Sequence, residues 1–82
     1  MTKERIFERV STIITGYLRL EDGELKVESH VVRDLGADSL ALVELGFKFM
    51  EAFGVSMMKP DDHNLVVGNL VEWIATEMKE RA

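Results

Sequence analysis

The sequence predicts an all-α protein, a four-helix bundle made of three main helices plus one short helix, with a long first loop. Three observations carry that expectation. Apolar residues recur at helical spacing in three separate stretches, no stretch alternates with period two for long enough to make a strand, and 82 residues include no cysteine and one proline. A chain this short buries a smaller share of its surface than a large domain does. Without disulfides or a Cys/His metal set, its stability has to come from helix packing. One domain spanning residues 1–82 is expected, and a large enclosed active site is not.

In the first helix, Ile6, Val10, Ile13, Ile14 and Tyr17 fall at i, i+4, i+7, i+8 and i+11, a stripe along one side of residues 3–18. Gly16 and the polar stretch Arg19 to Glu28, with Glu21-Asp22-Gly23-Glu24 as a turn, mark its end. A long loop follows, to about Asp38. Its Val27, Val31, Val32 and Leu35 make it apolar enough to lie across the core, and loops longer than about 12 to 15 residues tend to be functional when they are not disordered. Asp38 stands where an N-cap belongs, Ser39 opens the second helix, and Gly54 stops it after Phe53.

The second helix carries two apolar stripes. Leu42, Leu45, Phe49 and Phe53 form one, Leu40, Val43, Phe47 and Met50 form another about a third of a turn away, and Glu44, Lys48 and Glu51 make the polar face. One stripe is enough for a core. The other must face a bound apolar ligand or a partner protein, unless the long loop covers it. Pro60-Asp61-Asp62-His63-Asn64 fits a single helical turn, with proline early and acids where the helix dipole favours them. Val67, Leu70, Val71, Ile74 and Met78 then give a last helix from about Leu65 to Lys79, completing a bundle of antiparallel type.

Charge narrows the choice of partner. The formal net charge of −5 disfavours nucleic acid and anionic membranes, both of which select for clustered Lys and Arg. Residues 1–33 carry six basic and six acidic side chains and residues 34–82 carry four and nine, so a basic protein surface would land on the second part. The charged start Met1-Thr2-Lys3-Glu4-Arg5 runs into an amphipathic pattern rather than a signal peptide. No apolar run approaches the roughly 20 residues of a membrane span. A cytoplasmic protein without stable membrane insertion is expected.

Most catalytic signatures are missing: there is no Cys nucleophile, no Gly-rich phosphate loop and no His-Glu-x-x-His pattern. A calcium loop starting at Asp34 fails, because Ser39 stands where glycine is needed and Leu45 where glutamate is needed. His30 and His63 are the only histidines, and a triad with Ser39 would need an oxyanion hole and a cleft that so short a chain can barely supply. What remains is Asp34-Leu35-Gly36-Ala37-Asp38-Ser39-Leu40. Taken alone it reads as a helix start. Its functional reading is that Ser39 carries a phosphodiester, since free N–H groups and the positive dipole end at a helix N-terminus favour a phosphate. Such a serine needs no base of its own when a separate transferase deprotonates it.

That motif, continuing through Val43-Glu44-Leu45, resembles the acyl carrier protein family, and the resemblance covers nearly the whole chain in helix order and loop placement. It implies a carrier and not an enzyme. It also implies that Ser39, flanked by Asp38 and Leu40, receives 4'-phosphopantetheine from coenzyme A through a phosphopantetheinyl transferase, and that the terminal thiol holds acyl groups as thioesters. The second helix becomes the contact for enzymes that transfer or modify acyl groups and bear basic docking patches. Val43, Glu44, Gly46, Phe47, Lys48, Met50 and Glu51 are the expected partner or acyl-chain contacts, with the chain entering between the helices.

Several residues depart from the family pattern. Ala41, Met50 and Ala52 stand where acids are usual, and Lys48 adds a cation. Gly46 and Phe47 replace other apolar residues, and Met57-Met58-Lys59-Pro60 replaces a more acidic approach. These departures imply a dedicated carrier, for example for a lipid, lipopolysaccharide or secondary-metabolite pathway; a monomer is expected. The alternative is an unmodified helical interaction module that uses the apolar face of the second helix as a partner groove. Trp73 reads as a packed rim residue, Met57 and Met58 as adaptable packing, and His63, Glu21, Asp22 and Glu24 as solvated.

Overall fold

The computed structural model describes residues 1–81 as three helices, α1 (Lys3–Leu18), α2 (Ser39–Phe53) and α3 (Val67–Arg81). α1 packs against both of the others. It starts where Thr2 Oγ1 accepts a hydrogen bond from the Arg5 N–H at 3.2 Å, and it buries Ile6, Val10 and Ile14 at i, i+4 and i+8. Ile13 and Tyr17 flank that stripe, half-buried. Gly16 does not end the helix. The chain stays helical to Leu18, and Arg19 makes the left-handed exit at φ 56°, its N–H reaching the Thr15 carbonyl.

α2 begins and ends as its sequence dictates. Asp38 Oδ1 accepts from the Ala41 N–H at 2.8 Å, and Gly54, at φ 68°, returns its N–H to the Met50 carbonyl. The core side of the helix is shifted from the expected stripe: Ala41, Leu45, Gly46, Phe49 and Phe53 are buried, and Leu42 is half-buried. Pattern reading follows large apolar residues and so passes over Ala41 and Gly46; at Gly46 the missing side chain leaves room for Met57. Each fully buried Leu or Phe on this side contributes about 1.5–3 kcal/mol. The second stripe splits. Leu40, Val43 and Phe47 are 69%, 44% and 54% exposed, Met50 is half-buried, and the long loop does not cover them.

The long loop is better ordered than its composition suggests. Residues 31–35 make one helical turn: the Asp34 N–H donates to the His30 carbonyl at 2.8 Å, and the N–H groups of Gly36 and Ala37 donate to Val32 and Val31 at 3.1 and 3.0 Å. Gly36 closes this turn at φ 78°, a conformation a side chain resists. Val31 and Leu35, four apart, point into the core, whereas Val32 and Val27 are exposed.

The expected short helix at Pro60–Asn64 is not formed; the described residues hold three helices. The segment is a capped turn, with Asp61 Oδ1 accepting from the Asn64 N–H at 2.8 Å and a single i→i+4 bond from the Leu65 N–H to the Asp61 carbonyl at 3.1 Å. It goes no further because the next backbone groups pair with the long loop. Val31 N–H donates to the Leu65 carbonyl at 2.8 Å and Val67 N–H to the Ser29 carbonyl at 2.9 Å, making an isolated antiparallel bridge between His30 and Val66. The same pairing moves the start of α3 from the expected Leu65 to Val67.

Candidate functional site

Ser39 is the first residue of α2 and is exposed to solvent. Its surroundings are fixed from both sides. Upstream, Ala37 is 4% exposed and its N–H is held by the turn at 31–35; downstream, Asp38 caps the helix through its side chain and also accepts from the Leu42 N–H at 3.0 Å. Among the described residues the Ser39 hydroxyl takes part in no hydrogen bond. A free hydroxyl on a rigid helix start suits a phosphodiester, whose charge the helix N-terminus favours. The Ser39 hydroxyl would have room for a phosphodiester-linked group such as 4'-phosphopantetheine. The Asp38 carboxylate is already engaged as the cap, so its expected part is to hold the helix start. Leu40, the most exposed large apolar residue of α2, lies beside the serine.

Of the residues expected to meet a partner or an acyl chain, Val43, Glu44, Phe47, Lys48 and Glu51 all lie on exposed positions of α2. Leu40, Val43 and Phe47 make an apolar strip leading away from Ser39, with Glu44 and Glu51 beside it at helical spacing. Lys48 turns toward α1, its Nζ 5.7 Å from the centre of the Tyr17 ring, in an open groove that Glu8, Arg9 and Glu51 also line. Gly46 lies on the buried side instead, and Met50 is half-buried. Gly46 is buried beneath Met57, and a Cβ placed on it would lie 2.8 Å from Met57 Sδ and 2.9 Å from Cε. Met57, 40% exposed, thus fills the notch that the glycine leaves, while Met58 is buried.

Sequence reading missed the use made of His30. The residue is 8% exposed, and its Nδ1 accepts from the N–H groups of Val32 and Arg33 at 3.2 and 3.0 Å. Nε2 lies 3.1 Å from Asp62 Oδ1, which Arg33 also approaches at 3.1 Å. With Nδ1 accepting twice, the ring proton sits on Nε2 and donates to Asp62. The ring is fully engaged and is no base for Ser39. The available signal was Asp34 four residues on, whose Oδ2 accepts from the His30 N–H at 2.7 Å, a reciprocal pair at a turn start. Asp62 could not be foreseen from spacing. His63 is exposed, as are Glu21, Asp22 and Glu24, and Trp73 packs half-buried against the core. Among the described residues no group of three or more His, Cys, Asp or Glu could hold a metal ion, and no helix is long and apolar enough to cross a membrane.

Comparison with known proteins matches residues 8–74 to the family model described as a phosphopantetheine attachment site. The acyl carrier protein of Thermotoga maritima is 37% identical over 81 residues, covering 94% of this chain and 96% of its own. The acyl carrier protein of Prochlorococcus marinus is 39% identical over 77 residues, covering 90% of this chain and 94% of its own.

Proposed function

Because the chain belongs to the acyl carrier protein family, whose members are carriers rather than catalysts and bear covalent 4'-phosphopantetheine, we propose that Ser39 is its attachment residue. The observation that carries this is the exposed, unbonded hydroxyl of Ser39 at the capped start of α2, inside the motif Asp34 to Leu40. The bound group supplies a flexible arm ending in a thiol that holds acyl groups as thioesters. Every other part of the task falls to the chain itself. Asp38 holds the first turn in place, the helix N-terminus favours the negative phosphodiester, and the exposed strip offers a docking surface. Since no side chain here is bonded to the Ser39 hydroxyl, its proton goes to a base on the phosphopantetheinyl transferase as Ser39 Oγ bonds to the phosphorus and the pyrophosphate linkage of coenzyme A breaks, releasing adenosine 3',5'-bisphosphate.

The whole chain, in this reading, acts as one monomeric carrier unit in the cytoplasm and meets its acyl-handling enzymes one at a time. The α2 surface favours dedicated partners over general fatty acid synthesis. Its exposed apolar strip gives contact area, while Lys48 offsets one of the two acids beside it, Glu44 and Glu51, and so weakens the attraction of a basic patch. A lipid, lipopolysaccharide or secondary-metabolite pathway is the proposed setting. An unmodified interaction module would use the same strip, and mass separates the two readings. Incubation with a phosphopantetheinyl transferase and coenzyme A should raise the intact mass by one 4'-phosphopantetheine. Ser39→Ala should gain nothing while keeping its helicity. A wild-type chain that gains no mass with competent transferases contradicts the proposal.

A further inference from the structure

We propose that His30 is a positioning residue for the modification of Ser39, because its imidazole caps the turn that holds the attachment motif in place. The proposal rests on the carrier reading and adds to it a residue outside the attachment motif. An N-cap side chain ordinarily satisfies one of the free N–H groups at a helix start. Here the His30 ring satisfies two, those of Val32 and Arg33. The Asp34 carboxylate closes the same turn from the other side by accepting from the His30 N–H.

The turn is coupled directly to the attachment site. Its carbonyls at Val31 and Val32 accept from the N–H groups of Ala37 and Gly36. Ala37 is buried and is followed at once by Asp38, which caps α2, and by Ser39. The opposite end of the imidazole reaches Asp62, in the turn before α3. The ring therefore ties the attachment loop to the approach to α3 by a side-chain contact, beside the backbone pairing of Val31 with Leu65 and Ser29 with Val67. Without the ring, two N–H groups lose their acceptor and the turn loses one of its two anchors. The Gly36–Ser39 segment then samples more conformations, and a transferase that needs one of them meets the right one less often.

The test pairs amide hydrogen exchange on the unmodified protein with steady-state loading by a phosphopantetheinyl transferase and coenzyme A. His30→Ala should speed exchange at Gly36 and Ala37 by tenfold or more, leaving Leu45 and Phe49 unchanged. It should also raise the KM for the carrier several-fold with kcat unaltered. His30→Asn, whose side-chain oxygen can accept from the same N–H groups, should restore most of both. A purely structural role would also be rescued by asparagine, but it would speed exchange at Leu45 and Phe49 as well. Exchange and KM that stay at wild-type values in His30→Ala overturn the proposal, as does His30→Asn behaving like the alanine variant. Should His30→Ala not fold, His30→Leu, which fills the same space without an acceptor, serves in its place: faster exchange at Gly36 and Ala37 supports the proposal and unchanged exchange overturns it. A wild-type protein that gains no mass is a failure of the carrier reading, visible without any His30 variant.

Discussion

At the scale of single residues, two glycines on neighbouring helices should respond to a methyl in opposite directions. At Gly46 the new Cβ would meet only the end of the Met57 side chain, at 2.8 and 2.9 Å, and that thioether can swing away. Alanine is also a better helix residue than glycine by about 1 kcal/mol. Gly46→Ala should therefore be neutral to stabilising, up to about 1 kcal/mol in urea unfolding, with the Met57 methyl resonance displaced. At Gly68 the Cβ would meet Val27 Cγ2 at 3.0 Å and the Val27 carbonyl oxygen at 3.1 Å. That oxygen is fixed, since it accepts from the Gly68 N–H at 2.8 Å. Gly68→Ala should lower stability by about 1–3 kcal/mol despite the gain in propensity. Equal stability for the two variants would mean that the fixed carbonyl yields as readily as the thioether.

At the scale of elements, α2 depends on its cap. Replacing Asp38 with alanine removes the acceptor for the Ala41 N–H and should cost about 1 kcal/mol, with Asp38→Asn costing less because its oxygen remains. Thermal melts of the two variants check the order, and an asparagine variant as unstable as the alanine one would contradict it. The limits of α2 were legible because Asp38 and Gly54 are local signals, and a local signal survives folding. The limits of α3 were not, because Leu65 and Val67 are bonded to Val31 and Ser29, residues more than thirty positions away. The same distance hid the fate of Pro60–Asn64, where a sound first-turn pattern lost its continuation to that pairing. Within the loop the periodicity could be read one step finer: Val31 and Leu35 are buried because they are four apart, and Val32 is exposed because it is not. Ser39 was legible as a candidate for the same reason as the cap, by its place in a short motif. His30 was not, because its partners are backbone groups and a distant aspartate.

At the scale of the whole molecule, charge and exposed apolar surface together set how partners approach. Lys48 is the cation of α2 and stands over Tyr17, so Lys48→Glu makes the proposed docking face more acidic and gives up a contact of about 0.5–1 kcal/mol. Association with an acyl-handling enzyme bearing a basic patch should quicken at low salt. The gain should fade as the screening length shortens to about 8–10 Å at physiological ionic strength. Stopped-flow rates unchanged at low salt would contradict that account of partner choice while leaving the carrier role intact. The proposed attachment rests on one hydroxyl. Trypsin releases the peptide Asp34–Lys48, in which Ser39 is the only hydroxyl-bearing side chain. After treatment with a phosphopantetheinyl transferase and coenzyme A, fragmentation of that peptide should place one 4'-phosphopantetheine on Ser39. The group found on any other peptide, or on none, would contradict the account.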